Sequence, residues 1–131
     1  MIIQKLNRAS GVYYLTHDNE IVYVGSSRFA LKRILQHTSN PDMLFDGYYI
    51  DECSESDMHE RELQAILDHT PKYNKKLPLD PRYLSKGQIK DKFGLDGWQL
   101  NRLLKSIHPF ATIGDTEYFL ESDCSHCING K

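Results

Sequence analysis

The sequence of 131 residues lacks any long hydrophobic run, and no stretch approaches the roughly 18 consecutive apolar residues of a membrane span. We therefore expect no membrane-spanning segment and no membrane partner. The N-terminal residues also lack a basic segment that leads into an apolar run, so we expect no secretory leader. Cysteine is scarce and odd in number, and Cys53 lies far in sequence from Cys124 and Cys127. A disulfide framework is therefore not expected, and a reducing, cytoplasmic setting is favoured.

Neither sign of charge dominates, since 16 basic residues face 18 acidic ones and the net charge is -2. This balance gives no support to nucleic-acid binding by itself. Within residues 83–108, however, five basic and two acidic residues give a local charge of +3. A basic segment on an acidic chain hints at a polyanionic partner, although a solvated helical surface explains the same charges.

The first half of the chain contains short strand and helix patterns. Residues 11–15 and 21–25 are rich in valine, isoleucine and tyrosine, and they flank a polar turn at residues 16–20. Two such runs around a polar turn predict a β-hairpin. The hairpin is the first element of the predicted fold.

A third strand and two helices are predicted after the hairpin. A helix over residues 29–38, capped by Ser26 or Ser27, precedes a strand over 45–53 and a helix over 57–69. From their helical spacing we expect these helices to bury Leu31, Ile34, Leu35, Met58, Leu63, Ile66 and Leu67. The predicted fold is a small three-stranded antiparallel sheet flanked by helices. We assign it to the α/β (α+β) class.

The second half predicts a separate helical module. Two prolines within residues 77–82 predict a short, stiff linker. Ser85 as N-cap and Gly94 as left-handed C-cap bound one helix, and residues 98–107 form the next. The turn between them makes a helix-turn-helix pattern, and a small hairpin after it completes a winged-helix-like arrangement.

The chain is therefore divided into four predicted segments. These are an α+β domain (1–76), a linker (77–82), a winged-helix-like module (83–121) and a flexible tail (122–131). The tail contains one Cys-x-x-Cys pair, Cys124 and Cys127, with His126 between them. A structural zinc site needs four ligands, so we interpret these cysteines as ordinary tail residues.

Gly11-Val12-Tyr13 and Tyr23-Val24-Gly25 resemble the signature of the GIY-YIG nuclease family, with valine in place of each isoleucine. Either tripeptide alone is a weak signal. The family also has an arginine, often a histidine, a glutamate and an asparagine in that order. Residues 11–74 carry this set as Arg33, His37, Glu62 and Asn74. The order and spacing of the whole set make the resemblance strong and imply an active enzyme.

The resemblance implies an endonuclease that depends on Mg²⁺ (or Mn²⁺), and the residue types suit phosphodiester hydrolysis. Glu62 would bind the divalent cation, which prefers oxygen ligands, with Glu60 as its rival on another side of the helix. Arg33 would offer its planar donors to the phosphate. Tyr13 would activate or orient the attacking water, and Tyr23 would position Tyr13 or the phosphate.

The remaining residues of the set have supporting or open roles. His37 could accept a proton or contact phosphate, and a structural or merely exposed histidine fits equally well. Asn74 is expected to hold the glutamate helix rather than touch the substrate. Tyrosine is a poor base at neutral pH unless a cation lowers its pKa, and Lys32 and Arg33 are the nearest such cations. Lys32 is also a candidate DNA contact.

The second helix of the helix-turn-helix would enter the major groove of double-stranded DNA. Its polar side chains can hydrogen-bond to base edges or contact phosphates, and they are Gln99, Asn101, Arg102 and Lys105. Trp98, on the same helix, is assigned to the small core. A packing module of two amphipathic helices is the alternative interpretation.

These observations predict a targeted DNA endonuclease of the homing, phage or restriction type. One alternative is a non-catalytic DNA-binding regulator that retains the nuclease fold. A nuclease directed at RNA is the other. The sequence leaves the oligomeric state open, a homodimer included.

Overall fold

A computed structural model describes residues 9–129, and within them the chain folds into two compact units. The first unit ends at Asn74 and the second begins at Lys75. The first eight residues, for which we predicted no secretory leader, and the last two lie outside the described residues. The described part contains five helices and two three-stranded antiparallel sheets, which confirms the predicted α+β class. None of these helices has the length and apolar character needed to cross a membrane.

The first unit is built on a sheet of β1 (Gly11–His17), β2 (Glu20–Ser27) and β3 (Gly47–Glu52) in the order β2-β1-β3. Asp18 and Asn19 connect β1 to β2, and both have positive φ angles, 52° and 68°. A two-residue turn of this kind matches the twist of the strands, and Asp and Asn tolerate it better than most residues. The strands are therefore longer, and the turn shorter, than predicted.

Two helices accompany this sheet, α1 (Ala30–His37) and α2 (Glu55–His69). The predicted serine cap of α1 is wrong, because Phe29 is the N-cap residue and has no side-chain cap. Ser27 instead accepts a hydrogen bond from the Phe29 N–H at 3.0 Å. Leu35 was also predicted to be buried, but it is 58% exposed. The buried residues of α1 are Ala30 and Ile34.

Asn74 is buried and completes the outer edge of the sheet. Its Oδ1 accepts a hydrogen bond from the Val24 N–H, and its Nδ2 donates one to the Val24 carbonyl, both at 2.9 Å. Because β2 is an edge strand, Val24 would otherwise leave both backbone groups unpaired away from water. The side-chain amide therefore substitutes for a neighbouring strand and ties the chain beyond α2 to β2.

We expect Asn74→Ala to lower the free energy of unfolding by roughly 2–4 kcal/mol, because it leaves a buried N–H and carbonyl without partners. Denaturant titration measures the loss. Gln64→Ala, at an exposed position of α2, is the control and should change the stability by less than about 0.5 kcal/mol. Equal stability of both variants would contradict the structural role of Asn74.

The second unit contains a helix pair and a small sheet with the strand order β4-β6-β5. Its elements are β4 (Tyr83–Ser85), α3 (Lys86–Phe93), α4 (Gly97–Leu104), β5 (Ala111–Ile113), β6 (Thr116–Leu120) and α5 (Glu121–Asn129). Ser85 caps α3, and Gly94 ends it with a left-handed φ of 63°, which confirms both predictions. The predicted hairpin at the end of the module is present as β5 and β6. Strand β4 was not predicted, because three residues are too few for a periodic pattern.

The segment predicted as a linker is packed into the second unit. Leu77 is buried, and its N–H donates a hydrogen bond to the Tyr118 hydroxyl at 3.0 Å. Asp80 forms an isolated β-bridge with Tyr83. The two prolines of residues 77–82 predicted a stiff linker. In the structure, however, Leu77 is a buried core residue of the second unit.

The prediction of a loose tail over residues 122–131 is wrong for its described part, which is helix α5. Cys124 is completely buried, and it packs in the core that contains Ile89 and Phe119. Cysteine behaves as a small apolar residue, and Cys124, Cys127 and Ile128 follow the helical spacing i, i+3, i+4. This spacing was the missed signal, since the low apolar content of the segment concealed it.

Candidate active site

Three aromatic side chains of the first unit converge beside the sheet. The Tyr13 hydroxyl lies 2.8 Å from Nε2 of His37, within hydrogen-bonding distance. The Tyr23 ring centroid lies 6.2 Å from that of Tyr13 and 4.9 Å from that of His37. Strands β1 and β2 bring the tyrosines together, and α1 supplies the histidine. Residues separated by up to 24 positions thus form one hydrogen-bonded cluster, which we call the tyrosine–histidine cluster.

The two glycines of the signature tripeptides make room for this arrangement. A Cβ on Gly25 would lie 2.5 Å from both Cζ and the hydroxyl oxygen of Tyr13, so the phenol occupies the space over that glycine. A Cβ on Gly11 would overlap the carbonyl oxygen of Asp51 on β3. One glycine therefore allows the tyrosine ring to cross β2, and the other allows β3 to approach β1.

Arg33 lies on α1, one turn before His37, and its guanidinium donates a hydrogen bond to Gln36 at 2.8 Å. The residue is exposed, and its side chain also interacts with the Tyr13 hydroxyl through a hydrogen bond. Its positive charge acts on all three rings of the cluster, because it opposes the rise in the pKa of Tyr13 and Tyr23 and lowers the pKa of His37. Arg33 therefore contributes a positive field at the cluster while its donors remain accessible to an anion.

Burial sets the protonation states of the cluster. It raises the pKa of Tyr13 well above the ordinary value, and the neighbouring Tyr23 adds to the rise. The Arg33 charge opposes these effects without outweighing them, so the pKa of Tyr13 stays above its ordinary value. Burial and Arg33 both lower the pKa of His37 below 6.5. At neutral pH a protonated phenol therefore faces a neutral imidazole.

We expect Arg33→Met to raise the pKa of His37, because it removes a positive charge that disfavours the imidazolium. In the unaltered protein the ring stays neutral at pH 7 and gains a proton only as the pH falls below 6.5. NMR titration of the imidazole measures both values. Lys32→Met, at the adjacent exposed position of α1, is the matched control and should leave the His37 pKa in place. A His37 pKa at or above 6.5 in the unaltered protein would contradict this description.

Glu62 projects from α2, is half-buried, and accepts a hydrogen bond from the Ser26 hydroxyl at 2.6 Å. Burial raises the pKa of its carboxyl, and the Ser26 hydrogen bond and His59 oppose that rise. Its rival Glu60 is exposed. The sequence offered Ser26 as a capping residue, and its partnership with Glu62 was missed because 36 residues separate the two.

The environment of Glu62 fits a hard divalent cation. Among the described residues the carboxylate forms no ion pair with a lysine or arginine, and its hydrogen-bond donor is a neutral hydroxyl. Mg²⁺ is commonly held by one or two carboxylates, with water and phosphate oxygens completing its shell. The cluster of three metal-ligating side chains found in the described part lies elsewhere, at His17, Asp18 and Asp46. The first unit therefore offers Glu62 as a single carboxylate ligand.

The predicted DNA contacts of the second unit lie on α4, and the structure divides them. Gln99 is occupied in a capping box, because its Oε1 accepts from the Asp96 N–H while Asp96 accepts from the Gln99 N–H. Asn101, Arg102 and Lys105 are exposed, as is Lys32 on α1. The assignment of Trp98 to the core is wrong, because the side chain is 69% exposed and Leu103 fills the buried position of the helix.

Comparisons with models of protein families, with curated proteins and with solved structures give no match. Functional inference therefore depends on the sequence motif and on the geometry of the residues it brings together. Five of the six predicted site residues belong to one site. Tyr13 is its centre, His37 and Tyr23 contact it, and the charges of Arg33 and Glu62 act on its hydroxyl. The sixth, Asn74, lies at the edge of β2 and acts on the backbone.

Proposed function

We propose that the first unit is a GIY-YIG-type endonuclease that hydrolyses DNA phosphodiester bonds with the help of Mg²⁺ or Mn²⁺. The observation that carries the proposal is the hydrogen bond between Tyr13 and His37, beside Tyr23 and within the field of Arg33. The motif predicted these residues as a set, and the fold unites them from β1, β2 and α1. A phenol hydrogen-bonded to a neutral imidazole is an arrangement that can transfer a proton.

The tyrosine–histidine cluster supports a proton relay. Tyr13 alone cannot accept the proton of the water, since its pKa lies above the ordinary value and the phenol stays protonated at neutral pH. Neutral His37 can accept the phenolic proton as Tyr13 removes a proton from the attacking water. The phenol then passes a proton onward without remaining charged in a buried position, which is the state that burial opposes. Tyr23, packed against His37, holds the ring in place.

Arg33 and Glu62 complete the chemistry on the phosphate. Arg33 offers charged donors to the non-bridging oxygens, where negative charge develops. Glu62 holds the divalent cation, and Ser26 orients its carboxylate through their hydrogen bond. When bound, the cation polarises the phosphoryl group and lowers the pKa of bound water.

The second unit supplies the proposed targeting. Its helices α3 and α4 are joined by a turn at Gly94 and followed by a β-hairpin, as in a winged helix-turn-helix. Asn101, Arg102 and Lys105 are exposed on α4 for contact with double-stranded DNA. The three cysteines are free, as is typical of proteins in a reducing environment. We therefore include a cytoplasmic location in the proposal.

Nicking of a supercoiled plasmid, with Mg²⁺ or Mn²⁺ and with EDTA, tests the function. Cleavage should require the cation, and Tyr13→Phe should slow it by about 10²–10³-fold while the protein still binds DNA. Tyr48→Phe, at a tyrosine of β3 that is 51% exposed, is the control for loss of a phenol oxygen. DNA binding without cleavage at any cation concentration would favour a regulator. Preferential cleavage of structured RNA would favour the RNA-directed alternative.

A further inference from the structure

Trp98 is an exposed aromatic side chain at the beginning of α4. It is the single tryptophan of the sequence, and 69% of it is exposed. Large apolar rings are normally buried, and an exposed one beside a groove commonly marks a binding site. The proposed winged helix-turn-helix does not use this ring, because recognition of paired bases depends on hydrogen-bonding groups at their edges.

Positive charge accompanies the ring along the helix. The Arg102 guanidinium carbon lies 5.4 Å from the centre of the Trp98 ring, in a cation–π arrangement. Lys105 follows three residues later, so these side chains occur at i, i+4 and i+7 and share a helical face. Both cations are exposed, and neither forms an ion pair within residues 9–129. An aromatic face is thus flanked by unneutralised positive charge.

A groove adjoins the ring between α4 and α5. Its volume is about 240 Å³, and Arg102 is the one charged side chain in its lining. This volume is several times the roughly 30 Å³ that a water molecule takes up in the liquid. The apolar side chains that form the groove with Trp98 are Leu95, Leu103, Cys127 and Ile128. Gln99 and Ser106 add polar groups to the lining, so a flat ligand with an aromatic face, polar edges and an attached negative charge suits this surface.

We propose that Trp98 and Arg102 form a stacking site for an unpaired nucleobase, with Arg102 and Lys105 contacting the adjoining phosphates. Every base has an aromatic face, but in an intact duplex that face is covered by its neighbours. A tryptophan ring can therefore stack only on a base in a single strand, at an end or extruded from the helix. The preferred polymer contains an unpaired segment. The stacking site rests on the proposed nuclease function in one respect: that function identifies the polymer as DNA.

The single tryptophan makes the site directly observable. Its emission should be quenched, in a saturable manner, when the full-length protein in EDTA is titrated with a single-stranded oligothymidine. A relaxed circular duplex, which has no ends, should bind without comparable quenching. Because EDTA prevents cleavage, this measurement does not depend on nuclease activity. Absence of nicking would leave the stacking site intact, whereas nicking without quenching would overturn the stacking site alone.

Variants separate stacking from charge and from other uses of the groove. By fluorescence anisotropy of a labelled single strand, Trp98→Ala should weaken binding about 5- to 150-fold, whereas Trp98→Phe should retain most of the affinity. Leu79→Ala, at a leucine that is 82% exposed in the same unit, is the control. Unchanged single-strand affinity in Trp98→Ala would overturn the proposal. Self-association of the protein that disappears in Trp98→Ala, without loss of nucleic-acid affinity, would assign the groove to a second copy of the chain.

Discussion

Replacing Glu62 by glutamine is expected to reduce plasmid cleavage by at least about 10³-fold, because it removes the carboxylate charge that holds the cation. The cation contributes several kcal/mol to the stabilisation of charge in the transition state, and each 1.36 kcal/mol is a factor of ten in rate. Glutamine preserves the size of the side chain and can still accept the hydrogen bond from Ser26. The fold and DNA affinity should therefore be retained, as thermal unfolding and an electrophoretic shift would show.

The matched control is Glu60→Gln, on the same helix but at an exposed position. It should cleave at close to the rate of the unaltered protein. Activity that survives in Glu62→Gln and is lost in Glu60→Gln would reverse the metal assignment. Titration of the carboxyl without cation gives a second check. Burial raises the pKa of Glu62, so in EDTA its carboxyl should titrate at a pH above 4.5.

Gly25→Ala is expected to slow cleavage by about 10²-fold, since a displacement near 1 Å in a catalytic group has an effect of this size. The added Cβ would lie 2.5 Å from the phenol of Tyr13, which is only 1% exposed and has little space into which to move. The tyrosine must shift, and its hydrogen bond to His37 must lengthen or break. Nicking kinetics and the NMR titration of His37 should change together.

Gly11→Ala distinguishes this catalytic effect from a structural one. Its Cβ would overlap the backbone of β3, which cannot rotate away as a side chain can, so the first unit should lose several kcal/mol of stability. Gly97→Ala has open space around its Cβ and serves as the neutral control. If Gly25→Ala unfolds the protein as readily as Gly11→Ala, the glycine of the second tripeptide serves the fold rather than the position of Tyr13.

The Ser26 hydroxyl illustrates how much of the site depends on tertiary contact. Its neighbour Gly25 belongs to the motif, and the serine itself was taken for a turn or capping residue. In the fold it donates to Glu62 across 36 residues of sequence. Asn74 was expected to hold the glutamate helix, whereas its side-chain hydrogen bonds go to the Val24 backbone of an edge strand. Neither partner could be identified without the register and order of the strands.

The sequence by itself determined the elements that depend on near neighbours. The hairpin, the order of strands and helices in the first unit, the capping of α3 by Ser85 and the left-handed Gly94 follow from spacing, propensity and backbone sterics within a few residues. The motif also selected the residue types that could perform phosphodiester chemistry. These features are local, so a single sequence is sufficient to predict them.

Tertiary structure decided which side chains meet, and it corrected several predictions of burial. It brought the Tyr13 hydroxyl to His37, drew Cys124 into a core and left Trp98 and Leu35 exposed. Burial depends on what packs against an element from distant parts of the chain, and the short tail helix α5 shows that a few apolar residues are enough once a partner surface exists. The pKa values of Tyr13 and His37 follow from the same burial, so the protonation states of the proposed site are properties of the fold.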